Sequence, residues 1–336
     1  MEHTITLILA GILAFVVVMY VLLDGFDLGV GILFPFLEND HERDLVMSSL
    51  TPVWDGNETW LVLGGATLYG AFPIVYSTIL PTLYLPLFLM LIALVFRGVS
   101  FEFRHVAKGS KWVWTTCFAL GSTIAAFCQG VVLGTFVQGY TDANGNIMIS
   151  DYHSITSFTI MTGLAVIAGY ALLGSAWLIK KTEGNLRDYM FKLAKYLLIV
   201  VTLFMAVTVV WTPFIVPGVL TRWFTMPTFA FLLPLPILGI ATAIVMWFQL
   251  TTQANDNRPF VLGMLLFAWA YLSLIVSQWP YAIPRAITVW DAAAPFKSQV
   301  FILVGLLIVI PIILTYTIYS YAVFKGKVSH DEGAHY

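Results

Sequence analysis

The sequence predicts an all-α integral membrane protein of about nine transmembrane helices, arranged as two four-helix bundles plus one peripheral helix. Three observations predict it. Of 336 residues, 60% are hydrophobic and only 10% charged, and the mean hydropathy is +0.89. A soluble domain carries about 25% charged residues, and a soluble fold of this size has no way to hide so much apolar side chain. Apolar runs of about 20 residues, the length that crosses a bilayer core, recur along the whole chain. Lys and Arg gather in alternate connections between those runs.

The runs lie at about 5–37, 54–77, 79–98, 113–138, 156–179, 193–213, 227–249, 260–281 and 299–324. The first exceeds one straight crossing, so it tilts, or bends near Asp24-Gly25-Phe26-Asp27. Placing the N-terminus outside puts Arg43, Arg97, Arg104, Lys108, Lys111, Lys180, Lys181, Arg187, Lys192, Lys195, Arg258, Lys325 and Lys327 at the inner face, 13 of the 16 basic residues. Only Arg222, Arg285 and Lys297 remain outside. The positive-inside rule then predicts a periplasmic or extracellular N-terminus, a cytoplasmic C-terminus and an odd number of spans.

Residues 1–336 form one membrane domain in this reading. The longest connections, around 139–155 and 282–298, are too short for a soluble domain, and no internal repeat or low-complexity tract is evident. Glu2 and His3 do not form a basic leader, so no cleaved signal peptide is expected. The net charge of −2 argues against nucleic acid; lipid is the expected surrounding. Cys117 and Cys128, eleven residues apart in one apolar run, fit small packing residues better than a metal or disulfide pair.

Ionisable groups inside apolar spans are costly and point to function. Asp24 and Asp27 lie three apart in the first span, hence on one helical face, among Gly25, Gly29 and Gly31. At 1.5 Å per residue, Asp27 sits toward the cytoplasmic side. Asp55 and Glu58 are again three apart and open the second span, beside Trp54 and Asn57. They suit a helix start as capping acids, or act as proton-carrying carboxylates on an entry path from the same face. Arg97 ends the third span, followed by Glu102 and Arg104. Arg97 either snorkels to the interface or pairs with Asp27 or Asp55. Trp290 and Asp291 precede the last span, as an interfacial aromatic and a loop or capping acid. Gln129 and Gln138 are read as interhelical hydrogen-bond partners.

Membrane haem proteins hold iron mainly through helical His. His3, His41, His105, His153, His330 and His335 all fall in predicted loops or termini, so no metal or haem ligation through histidine is expected. Met161, Met205 and Met246 read as packing. No phosphate-binding loop and no nucleophile-plus-base motif occurs, so no catalytic residue is assigned to this chain.

These residues carry a resemblance. Asp24-Gly25-Phe26-Asp27-Leu28-Gly29-Val30-Gly31 resembles the first-helix signature of subunit II of cytochrome bd-type quinol oxidases. Trp54-Asp55-Gly56-Asn57 resembles the start of that family's second helix, Phe96-Arg97 with Phe101-Glu102-Phe103-Arg104 its third-helix end, and Trp290-Asp291-Ala292 a motif before its last helix. Their order covers essentially the whole chain. The chain is shorter than some members around 214–226, and in size it is similar to those described as cyanide-insensitive.

The resemblance implies a heterodimer with subunit I, which carries two b-type haems and haem d, oxidises quinol near the outer face and reduces oxygen to water. Subunit II lacks the haem ligands, and a small accessory subunit and a bound quinone accompany it in some members. The family's acidic proton path, which takes protons from the cytoplasm, carries over to Asp27 and Asp55, with Asp24 matching the motif and Glu58 beside it. A proton- or ion-coupled secondary transporter is the alternative, since a glycine-rich segment beside intramembrane acids would suit one. A third reading makes the chain a purely structural partner whose acids only cap helices.

Overall fold

The computed structural model describes residues 2–107, 109–140 and 154–328. Lys108, His153, His330, His335 and most of the 139–155 connection lie outside the described residues.

The first helix, α1 (Glu2–Leu33), is continuous through Asp24–Asp27 and passes into a short 3-10 turn at Phe34–Phe36. Of the two outcomes expected for this long run, a tilt or a bend near Asp24 and Asp27, the bend does not occur, and the helix shows no break at the acids. At 1.5 Å per residue its 32 residues span about 48 Å, more than the hydrocarbon core. An amphipathic helix α2 (Asp40–Ser48) follows, capped by the Asn39 side chain accepting from the Glu42 N–H at 2.9 Å.

The second apolar run is broken. Helix α3 (Trp54–Ala71) stops at Phe72, and α4 (Pro73–Thr82) leaves at 119° to it. Proline disfavours helical geometry in the residue before it, and Phe72 sits at φ −133°, ψ 61°. Helix α5 (Tyr84–Val106) then runs eight residues past the predicted end at 98. Hydropathy falls at Arg97, but Arg97 and Arg104 are buried and paired with carboxylates, so the helix continues.

The remaining helices are α6 (Lys111–Gln138), α7 (Ser157–Lys181), α8 (Gly184–Ile215), the short α9 (Val219–Trp223) and α10 (Thr228–Leu232), α11 (Pro234–Thr252), α12 (Arg258–Gln278) and α13 (Phe296–Val323). A two-stranded antiparallel hairpin, β1 (Tyr281–Ile283) and β2 (Ile287–Thr288), precedes α13. Among the described residues eight helices are long and apolar enough to cross a membrane, nine if the bent α3–α4 pair counts as one span.

Helices α1, α3, α5 and α6 pack together, α7, α8, α11 and α12 form a second group, and α13 lies against α3 and α1. The groups meet where α7 packs against both α6 and α1. Glycines set that contact: a Cβ on Gly29 would lie 1.8 Å from the Tyr170 carbonyl oxygen, and one on Gly174 2.4 Å from the Gly29 carbonyl carbon. Small residues let helices approach where lipid supplies no hydrophobic drive. Outward faces stay apolar, as with Phe301 and Ile312 on α13, at 80% and 63% exposure.

Candidate functional site

Helix α1 packs against α3 and α6, and α5 packs on α6, so the long Arg97 side chain of α5 reaches the acids of α1 and α3. Asp24, Asp27 and Arg97 are each 0% exposed. Arg97 donates from Nη1 to Asp24 Oδ1. Its Nη2 lies 3.7 Å from Glu58 Oε2, whose side chain is about one-quarter exposed. Arg97 therefore pairs with Asp24 and Glu58 rather than with Asp27 or Asp55, and it does not snorkel. Gly121 of α6 makes this possible: a Cβ there would sit 2.6 Å from the Ala93 carbonyl oxygen and 3.1 Å from the Arg97 nitrogen.

Asp27 is held differently. Asn57 Nδ2 donates to Asp27 Oδ2 at 2.7 Å, and the Tyr321 hydroxyl of α13 donates to Asn57 Oδ1 at 3.0 Å. Asp27 Oδ1, Arg97 Nε and Arg97 Nη2 have no hydrogen-bond partner among the described residues. Such buried polar atoms ordinarily bind water. Above them on α1, Tyr20 accepts from Gln129 Nε2 at 2.7 Å, and the Tyr170 hydroxyl donates to Gln129 Oε1 at 2.6 Å. Gln129 thus bridges α1, α6 and α7, and Gln138 accepts from Thr156 at 3.1 Å, so both glutamines join helices.

Asp55 is exposed in the first turn of α3, two residues past the Val53 N-cap, and no side-chain cap bond forms there. Trp54 stacks on Phe101 with centroids 4.8 Å apart, and the Arg97 guanidinium lies 5.8 Å from the Trp54 ring. Arg104 is 1% exposed and reaches Asp44, with Asp40 at 3.4 Å and Thr115 at 3.0 Å. Glu102 lies on the exposed side of α5 and makes none of the ion pairs found among the described residues. Partial burial pushes the Asp44 carboxyl up, but hydrogen bonds from Arg104 and Lys111 outweigh it and hold it below the usual value. Sequence reading missed Asp44, Asp40, Tyr321 and the two tyrosines, because single polar residues at helix ends or among apolar neighbours carry no signal of their partners.

At the opposite end, Trp290 packs edge-on against Trp279 and His3, and Asp291 Oδ2 accepts from Thr288 at 2.5 Å. This pair closes the hairpin and is remote from the buried acids. His3, His41 and His105 lie on α1, α2 and α5 rather than in loops, at helix starts or ends and exposed. None faces another across a helix bundle, so these residues do not fit a haem clamp.

A polytopic helical membrane protein with a buried carboxylate–guanidinium cluster is the class that fold and site define. The sequence matches the model of the cytochrome bd terminal oxidase subunit II family over residues 5–324, and the chain belongs to that family. It is 30% identical over 331 residues to cytochrome bd ubiquinol oxidase subunit 2 of Bacillus subtilis, covering 92% of this chain and 93% of that one. It is 26% identical over 350 residues to cytochrome bd-I ubiquinol oxidase subunit 2 of Escherichia coli K12, covering 92% and 91%. A chain in the structure of bd oxidase from Geobacillus thermodenitrificans superposes with a TM-score of 0.77 at 14% identity, over 96% of this chain and 98% of that one, a likeness of fold. Membership in a terminal-oxidase family implies a subunit I partner and haems within the complex, and it does not favour the transporter reading.

Proposed function

We propose that this chain is the non-haem-ligating subunit II in a heterodimer that oxidises quinol and reduces oxygen to water, and that its acids admit protons from the cytoplasm. In this reading the N-terminus is outside, the C-terminus is cytoplasmic, and the two b-type haems and haem d belong to subunit I. The exposed placement of His3, His41 and His105 supports that division.

One observation carries the proton role. On one face of α1, fully buried Asp24 pairs with Arg97, which also lies near the partly exposed Glu58, while fully buried Asp27 is held by Asn57 and keeps Oδ1 with no hydrogen-bond partner among the described residues. One guanidinium among three neighbouring carboxyls leaves room for a proton, and the open oxygen of Asp27 gives water a place to relay it. Asp55 and Glu58 lie toward the exposed end of that route, Asp24 and Asp27 at its buried end.

Asn keeps the shape of Asp but neither gains nor loses a proton. Asp27→Asn and Asp55→Asn should assemble with normal haem content yet turn over about 10-fold more slowly, equivalent to about 1.4 kcal/mol on the barrier. Glu58→Gln should cost less. Haem per complex separates slow proton delivery from failed assembly. Normal quinol oxidase activity with normal proton uptake in both aspartate variants would make these acids structural.

A further inference from the structure

A second charged site lies at the other group of helices, where α7 ends, α11 turns into α12 and the chain leaves α13. Lys180, Arg187, Asp256, Lys325 and Lys327 line a cleft of about 500 Å³, with the amides of Asn255 and Asn257 at its rim. The four cations face one carboxylate within it. Asp256 is already engaged twice, by Arg187 Nη2 at 2.7 Å and by Lys327 Nζ at 2.7 Å. Arg187 also reaches Asp188 at 2.8 Å, and Glu183 stands 3.9 Å from Lys327. Those contacts use every acid given to the cleft, and Lys180 and Lys325 have no carboxylate partner among the described residues.

Lys180 is the informative one. It is half-buried, and its ammonium rests 5.4 Å from the Trp177 ring and 5.1 Å from the Phe260 ring. Aromatic faces attract a cation but accept none of its hydrogen bonds in the way an oxygen does, and an ammonium has three N–H donors. The rings therefore hold Lys180 in place with its donors available. The far wall is fixed too: the backbone of Phe324 and Gly326 accepts from Lys181, and Lys327 donates to the Thr182 carbonyl at 3.1 Å, so the segment bearing Lys325 is tied to the end of α7.

Position then selects the ligand. Lys180 sits in the last turn of a membrane-length apolar helix, at headgroup level. On the two helices that the cleft's 253–257 segment joins, Trp247 and Phe248 of α11 and Val261 of α12 are exposed at 40%, 60% and 53%, an apolar surface within two turns of that segment. A free anion would use only the cations, whereas a ligand with a phosphodiester joined to acyl chains would use both surfaces. We propose that this cleft binds the phosphodiester headgroup of an anionic phospholipid, with its acyl chains along α11 and α12. The site does not involve the acids of α1 and stands independently of their role.

The test uses the assembled complex, delipidated in mild detergent and titrated with dioleoyl phosphatidylglycerol, dioleoyl phosphatidylcholine or inorganic phosphate, with bound lipid counted by native mass spectrometry. Wild type should retain phosphatidylglycerol in preference to phosphatidylcholine, and inorganic phosphate should not displace it at equal concentration. Each basic group near a membrane surface contributes about five-fold in affinity, so Lys180→Gln/Lys325→Gln should weaken retention about 30-fold. Lys180→Arg should preserve it, and haem content checks assembly. Because Lys325 is exposed, Lys325→Gln alone, expected to lose about five-fold, carries the test if the double variant fails to assemble. Equal retention of phosphatidylglycerol by wild type and variant, equal retention of phosphatidylcholine, or displacement by inorganic phosphate would overturn the proposal.

Discussion

Arg97 shows what a single buried charge demands of its surroundings. It reaches Asp24 and lies near Glu58, while its Nε has no hydrogen-bond partner among the described residues. Removing one member of a buried pair leaves an uncompensated charge, typically costing about 3–5 kcal/mol, whereas replacing both by apolar groups is often nearly neutral. Arg97→Met should therefore abolish assembly or sharply lower its thermal midpoint, and Asp24→Leu in the same chain should restore much of the loss. A double variant no better than Arg97→Met would show that Arg97 is tied mainly to Glu58 or Asp27. Sequence alone marked Asp24, Asp27, Glu58 and Arg97 as costly residues near one depth. Their pairing was not legible, because depth along a helix says nothing about which face meets which neighbour. Asp24 and Asp27 share a face, yet one meets Arg97 of α5 and the other Asn57 of α3.

Elements follow two rules that hydropathy reads unequally. Apolar length located α6, α7, α12 and α13 to within a few residues of their ends, because nothing in them competes with the bilayer signal. It failed for the second and third spans, and it misplaced the starts of α8 and α11, read at about 193 and 227 but found at Gly184 and Pro234. Pro73 breaks the helix inside an apolar run, and the buried arginines extend α5 beyond the end of one. Packing is set by glycine, which hydropathy does not register at all. Where α1 crosses α7, even the Cβ of alanine on Gly29 meets Tyr170 backbone at 1.8 Å, so the helices must part. Gly29→Ala should destabilise the assembled complex by about 1–3 kcal/mol, the usual cost of overpacking. Gly65→Ala, in α3 with open space around it, should be neutral or slightly stabilising, since alanine favours a helix by up to about 1 kcal/mol over glycine. Thermal retention of haem by the purified complex distinguishes them. Equal midpoints for both variants would mean that α1 and α7 do not cross this closely.

Across the whole molecule, polar contacts sort to two ends. His3 of the first turn meets Trp290 before the last helix, and Arg285 of the hairpin donates to the Gln138 carbonyl at the end of α6. At the other end the segment after α13 is bound to Lys181 and Thr182, and Lys327 reaches Asp256 between α11 and α12. The described chain thus begins and ends at opposite ends of the helix stack. The proposed orientation turns the C-terminal end to the cytoplasm, because that end holds the α7–α8, α11–α12 and α5–α6 connections, where most of the Lys and Arg lie. The same end carries Asp55 and Glu58, so the orientation decides whether the acid cluster opens toward the compartment from which protons are drawn. A reporter that is active only in the cytoplasm, fused after Tyr336, should be active. One active only outside, inserted in the hairpin after Arg285, should be active as well. If both positions report the same side, the odd number of spans is wrong. If both report reversed sides, the acid cluster opens outward and inward proton uptake through it fails with the orientation.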